Sequence, residues 1–128
     1  MNGTYSLTCF FETLDSFAPL SLSKKMIEMS DYDNSGILIK THDYVKKVLF
    51  SLDLSDAVLK RVKRIGADTI VTHHPAIYNP LSSLDVSTAL SATVTKAVNM
   101  GLNVISMHLN LDVADDGIDH SLAEGLGA

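Results

Sequence analysis

His73 and His74 stand side by side in "DTIVTHHPAIYNP", residues 68–80, just where an apolar, β-branched run gives out. The whole chain has five histidines, so an adjacent pair at a strand's end raises the question of metal ligation. Imidazole with carboxylate suits Zn, Fe, Mn, Ni or Co, and residue type does not choose among them. Successive strand residues point to opposite faces. In regular strand geometry the pair therefore cannot share one ion. Each could instead hold one ion of a pair roughly 3.5–4 Å apart, with a carboxylate bridging them. Asp112 is the candidate bridge or third ligand. His108 is the candidate catalytic group, as a general acid or base or as a partner supporting the ligands. Pro75 stiffens the exit of the loop and disfavours a helix from His74 onward.

Each of these residues also has a plain structural reading. Most His-His dipeptides are strand-end or loop features. His108 could hydrogen-bond backbone at a strand end, and Asp112 could form a turn in "NLDVADDG". Asp115 and Asp116 read as caps of the last helix. Asp53 reads as a loop residue ahead of a helix, and Asp68, at the opposite end of its strand, as structural. His120 and Glu124 have the i, i+4 spacing of two ligands on one helix face. Ile118, Leu122 and Leu126 mark that helix's buried face, however, and His120 lies nearly opposite, so a solvated pair is expected. His42, in the polar turn "KTHDY", has no partner in view.

The elements that must position these groups can be read from periodicity. "SLTCFFETLDSFAP" begins with a short strand or helical turn, and "LSLSKKMIEM" has weak helical spacing ended by "SDYDNSG". "GILI" and "YVKKVLFSLD" are candidate strands, the second with Val48, Leu49 and Phe50 as a buried-type run. Ser55 caps a helix carrying Leu54, Val58, Val62 and Ile65, and Gly66 sits where a terminating glycine belongs. "DTIVT" is the next strand. Asp85 is placed to cap a helix through Met100, with Ala89, Leu90, Val94, Ala97 and Val98 on one side, and Gly101 ends it. "LNVISM" is a further buried strand, and a short helix closes the chain. Strands alternating with helices over short connections imply parallel pairing by right-handed crossovers. The expected fold is α/β, a mostly parallel sheet flanked by helices on both faces. Functional groups of such sheets gather beyond the strands' carboxyl ends. Asp53, the pair His73 and His74, and His108 with Asp112 all fall there.

At 128 residues the chain fits a single domain, 1–128. The net charge is −5, with Lys and Arg scattered, so it lacks the basic footprint of direct nucleic-acid binding. One cysteine, Cys9, excludes an internal disulfide and the Cys-based metal motifs, and a reducing, cytoplasmic location is the default. The N-terminus has no basic segment ahead of its apolar stretch. No run reaches the 18 or so apolar residues of a membrane span.

"GADTIVTHHPAIYNPLSSL" and "SMHLNLDVADDGIDHSLAEGLG" resemble two signatures of the NIF3-like family, also called GTP cyclohydrolase 1 type 2 or YbgI-like. "DYDNSGILI" is similar to that family's Trp-Asp-Asn-x-Gly-Leu segment, with Tyr32 for the Trp and Ile37 for the Leu, and "VLFSLDLSDAVLKRVKRIGAD" to the strand and helix next to it. The similarity runs from about Asp31 to the end. It implies a site for up to two divalent ions, with metal ligands at His73, His74 and Asp112 and a functional histidine at His108 close by. It further implies a NIF3-like fold, assembly into a homo-oligomer, hexameric in the family, and activities ranging from cyclohydrolase and phosphoester hydrolysis to partner binding. Family chains are about twice as long, so the resemblance implies that residues 1–128 correspond to their N-terminal half, while their second half brings a His and a Glu from a Gly-His-x-x-x-Glu motif not found in these residues. Two functions are compatible with these residues, beside a structural relic whose histidines are vestigial. One is a metal-dependent hydrolase acting on a nucleotide or phosphoester-type small molecule. The other is a non-catalytic metal-binding or protein-interaction module with an incomplete site, completed by water, an anion or a second chain.

Overall fold

The computed structural model describes residues 3–29 and 32–128. Ser30 and Asp31, part of the turn expected to end the second helix, lie outside the described residues. Two helices come first, α1 (Leu7–Phe17) and α2 (Leu20–Glu28), after a short strand β1 (Tyr5–Ser6). Next come the strands β2 (Gly36–Ile39), β3 (Tyr44–Val45) and β4 (Val48–Ser51), then α3 (Asp56–Ile65) and β5 (Thr69–Thr72). The chain continues through α4 (Ala89–Asn99), β6 (Asn103–Ser106), α5 (Leu109–Asp112) and α6 (Ile118–Gly125).

The main sheet has the order β2-β6-β5-β4. β4 and β6 both run parallel to β5, whereas β2 runs antiparallel to β6 with a register shift between Ile37 and Ile39. The α/β expectation holds, with an antiparallel edge added. β5 and β6 are buried along their full length, as strands covered on both faces must be. Their alternation divides the core. Ile70 and Val104 point to one side, against Leu59 and Val62 of α3 and Val94 and Ala97 of α4. Val71 and Ile105 point to the other, against Leu7, Phe10, Phe11 and Leu14 of α1.

Several expectations need correction. "YVKKVLFSLD" is two strands, not one: β3 pairs with β1 in a separate two-stranded sheet, and only β4 joins the main sheet. β4 is an edge, so Phe50 is 66% exposed rather than core. The N-terminal stretch does begin with a short strand, β1, but continues as a full helix capped by Ser6, whose hydroxyl accepts from the Cys9 amide. The fourth helix starts at Ala89 under a Thr88 cap, and Asp85 instead closes a turn onto Ser87. Neither Asp115 nor Asp116 caps α6, whose cap position is Gly117 with no side-chain hydrogen bond. Leu122 and Leu126 face solvent, so the stripe that defines α6 is not buried within this chain. Ser55 and Gly66 do bound α3 as expected, Gly66 at φ 68°. Among the described residues no helix is long and apolar enough to cross a membrane.

Candidate metal centre

The parallel register sets Ser51, Thr72 and Ser106 side by side at the carboxyl edge of β4, β5 and β6. The segments leaving the three strands therefore enter one shared space. β5 ends at Thr72, and the next two residues already bend away, held by His73 N–H donating to Ser51 O and His74 N–H to Leu52 O. Strand alternation thus does not govern the pair, and both imidazoles turn to the same side, their ring centres 5.1 Å apart. Two buried hydroxyls fix that bend: Thr72 Oγ1 donates to His74 O at 2.7 Å and Ser106 Oγ to His73 O at 3.1 Å. His108 arrives from the end of β6, its ring 5.1 Å from His73 and 5.8 Å from His74. One ring nitrogen from each of the three lies within 4.8 Å of the others.

Each histidine has its Nδ1 engaged. His73 Nδ1 lies 2.9 Å from Met107 O, His74 Nδ1 2.7 Å from Asp53 Oδ1, and His108 Nδ1 2.8 Å from Asp33 Oδ1. A carbonyl and two carboxylates only accept, so each Nδ1 is the protonated nitrogen, which leaves the Nε2 lone pair free. This is the arrangement that prepares histidines as metal ligands. His73 Nε2 faces Asp112 Oδ1 at 3.3 Å. With the ring proton on Nδ1, a lone pair and a carboxylate face one another, a repulsive pair that a cation relieves. The donor set of imidazoles and a carboxylate fits a divalent first-row ion. Three imidazoles and one carboxylate fall short of closed coordination for two ions, each wanting about four to six donors.

Asp33 is the residue that sequence reasoning missed. It is 5% exposed and accepts from Ser35 Oγ at 2.6 Å as well as from His108. Burial alone would raise its pKa, but hydrogen bonds from Ser23, Ser35 and His108, and the attraction of the His108 ring when it is protonated, hold the carboxyl below its ordinary 3.8. Its neighbours finish the brace: His108 N–H donates to Ser35 Oγ, and Asn34 Nδ2 to Ile77 O across the histidine loop. Asp53, read as a loop residue, holds His74 instead. His42 is not without a partner, since Nδ2 of the fully buried Asn103 lies 3.0 Å from its Nδ1 and its ring stacks on Tyr44. Asp68 is structural, accepting from the amides of Lys46 and Lys47. His120 and Glu124 form an exposed pair at 3.5 Å, away from the imidazole cluster.

Residues 6–128 match the family model described as Duf34/NIF3 (NGG1p interacting factor 3). A relative from Halalkalibacterium halodurans named "GTP cyclohydrolase 1 type 2 homolog" is 35% identical over 96 residues, 74% of this chain and 26% of its own. The human "NIF3-like protein 1" is 29% identical over 124 residues, 95% of this chain and 31% of its own. The crystal structure of Staphylococcus aureus protein SA1388 superposes with a TM-score of 0.83 at 31% identity, over 96% of this chain and 34% of that one. The chain thus spans about a third of the length of these relatives.

Proposed function

The chain belongs to the Duf34/NIF3 family, and from that premise we propose that it holds divalent metal, up to two ions, at His73, His74 and Asp112 and serves metal-dependent hydrolysis of a nucleotide or other phosphoester. The observation that carries this reading is the state of His73 and His74, each with Nδ1 committed to an acceptor and Nε2 left for a cation, with His108 oriented in the same way beside them. The chemistry such a cation supplies is Lewis-acid polarisation of an electrophilic phosphorus or carbon and activation of water. The protein's own residues do the rest. Asp53 and Met107 O set the tautomers of the two ligating imidazoles, and the Thr72 and Ser106 hydroxyls hold their backbone. His108, fixed by Asp33, carries the proton to or from the reacting group at Nε2, a role contributing typically 10²- to 10⁴-fold.

Metal analysis of the purified chain and of the His73→Ala, His74→Ala double variant tests the site. Loss of bound metal in the variant is the expected result, and unchanged metal content overturns the proposal. His108→Ala should keep the metal and lose turnover of p-nitrophenyl phosphate. Metal loss in that variant would make His108 a ligand.

The exposed apolar stripe of α6 favours a second reading, a metal-binding interaction module whose site and surface are completed by another chain, a homo-oligomer or a protein partner. Metal-loaded protein inert toward a broad phosphoester panel would support it over hydrolysis.

A further inference from the structure

Beside the imidazole cluster, between α1, the end of β4 and α5, lies a half-open cavity of about 210 Å³ walled by Leu14, Phe17, Phe50, Val71, Met107 and Leu111. Ala18, His73, Ser51 and Thr72 complete the wall, and the two hydroxyls and His73 Nδ1 are already engaged. His73 Nδ1 is taken by Met107 O, Ser51 Oγ donates to Asp53 O, and Thr72 Oγ1 to His74 O. A guest in this space therefore finds mostly carbon surface, with both hydroxyl protons already donated and His73 Nε2 facing Asp112. Water is poorly held in such surroundings, whereas an apolar cavity of about 150 Å³ accommodates benzene. The volume here fits one ring with a small substituent. Phe17 and Phe50 stand exposed and offer aromatic surface to it.

We infer that this cavity is a specificity pocket for a single aromatic or similarly sized apolar ring of the substrate, whose reacting group sits at the neighbouring imidazoles. The inference rests on the proposed metal site for the reacting end of the substrate, but the pocket itself does not need the metal. Its chemistry narrows the substrate class to molecules with an anionic or electrophilic end and one ring next to it. A phosphoester bearing only small polar groups would leave the pocket empty.

Two measurements test it separately. In the metal-free chain, titration with indole should shift the methyl resonances of Leu14, Met107 and Leu111, and not those of Leu59 and Leu102, buried on the sheet's other face. In zinc-loaded protein, phenylphosphonate should bind about tenfold more tightly than methylphosphonate. Leu14→Trp, which fills the cavity, should abolish the indole shifts and the phenyl preference while zinc affinity stays unchanged. Phe50→Ala, on the exposed edge strand, should reduce both if the larger variant does not fold. Absence of indole shifts, or equal affinity for the two phosphonates, overturns the inference. Failure to load zinc counts against the metal reading, and indole alone then decides the pocket.

Discussion

Asp33 governs the site without facing the space where chemistry would occur. Its carboxylate is shielded from solvent and shared among Ser23, Ser35 and His108, and it fixes the His108 proton on Nδ1. Replacing Asp33 by Asn keeps the shape but presents an amide that can donate to Nδ1 and move the proton to Nε2. Asp33→Asn should therefore retain bound metal while turnover of p-nitrophenyl phosphate falls by about 10²- to 10⁴-fold. Equal loss of metal and turnover would show that His108 ligates. The same substitution has a signed effect on stability. Asp33 has a folded pKa depressed below 3.8, so its stabilisation is full above that ordinary value and is lost as pH falls through the depressed one. Hydrogen bonds to a charged group contribute about 1.5–3 kcal/mol. Urea midpoints of the wild type and Asp33→Asn should differ most near neutrality and converge in acid. A gap that stays constant down to pH 2 would refute this. Asp33 was not legible in the sequence because its partner lies 75 residues away, and only the packing of residues 33–35 against the end of β6 brings them together.

Turns between elements set the site as firmly as the strands do. Gly117 ends the tight connection from α5 to α6, where an added Cβ would meet Leu111 O, Ala114 O at 2.9 Å and Asp112 O at 3.0 Å. Backbone carbonyls cannot swing aside, so Gly117→Ala must open the turn that carries Asp112, at a cost of about 1–3 kcal/mol. Gly66, at φ 68° with open space around it, is strained by a side chain for a different reason, and Gly66→Ala costs about 1–2 kcal/mol. Both variants should melt earlier by calorimetry, but only Gly117→Ala should weaken zinc binding in titration calorimetry. Similar zinc affinity in the two would mean that Asp112 is not a ligand. The contrast also explains what could be read from sequence. The Ser55 and Gly66 signals are local, and α3 sits where they place it. The order of strands with intervening helices gave parallel pairing around β5, and with it the meeting of His73, His74, His108 and Asp112. The antiparallel β2 and the split of β3 from β4 were hidden because short strands pair by tertiary contacts that no periodicity of four residues encodes. The convergence of the histidine pair was hidden too, since it depends on β5 stopping at Thr72 and on two hydroxyls capturing the bend.

At the scale of the molecule, the main departure from expectation is an apolar surface left uncovered. The helix α6 has no buried residue, with Leu122 60% and Leu126 86% exposed. Leu84, Val86, Leu90 and Val98 are exposed as well, along the connection into α4 and on α4 itself. A stripe of leucines at helical spacing is amphipathic design without its complement, and exposed patches of this kind mark interaction surfaces. With a sheet already covered on both faces by α1, α3 and α4, α6 cannot bury that stripe by moving onto the core. On the proposed interaction reading the complement comes from other polypeptide, and in a solution of this chain alone that means another copy. The chain should therefore self-associate in light scattering at concentrations of tens of micromolar, and Leu122→Glu with Leu126→Glu should return it to a monomeric mass. Because α6 contributes nothing buried, the double variant should keep its circular dichroism, its thermal midpoint within about 0.5 kcal/mol of stability, and its metal content. Loss of metal together with association would mean that the second copy supplies donors to the site, which would account for the shortfall of ligands in a single chain. A wild-type chain that stays monomeric across that range would show instead that α6 is a solvated helix.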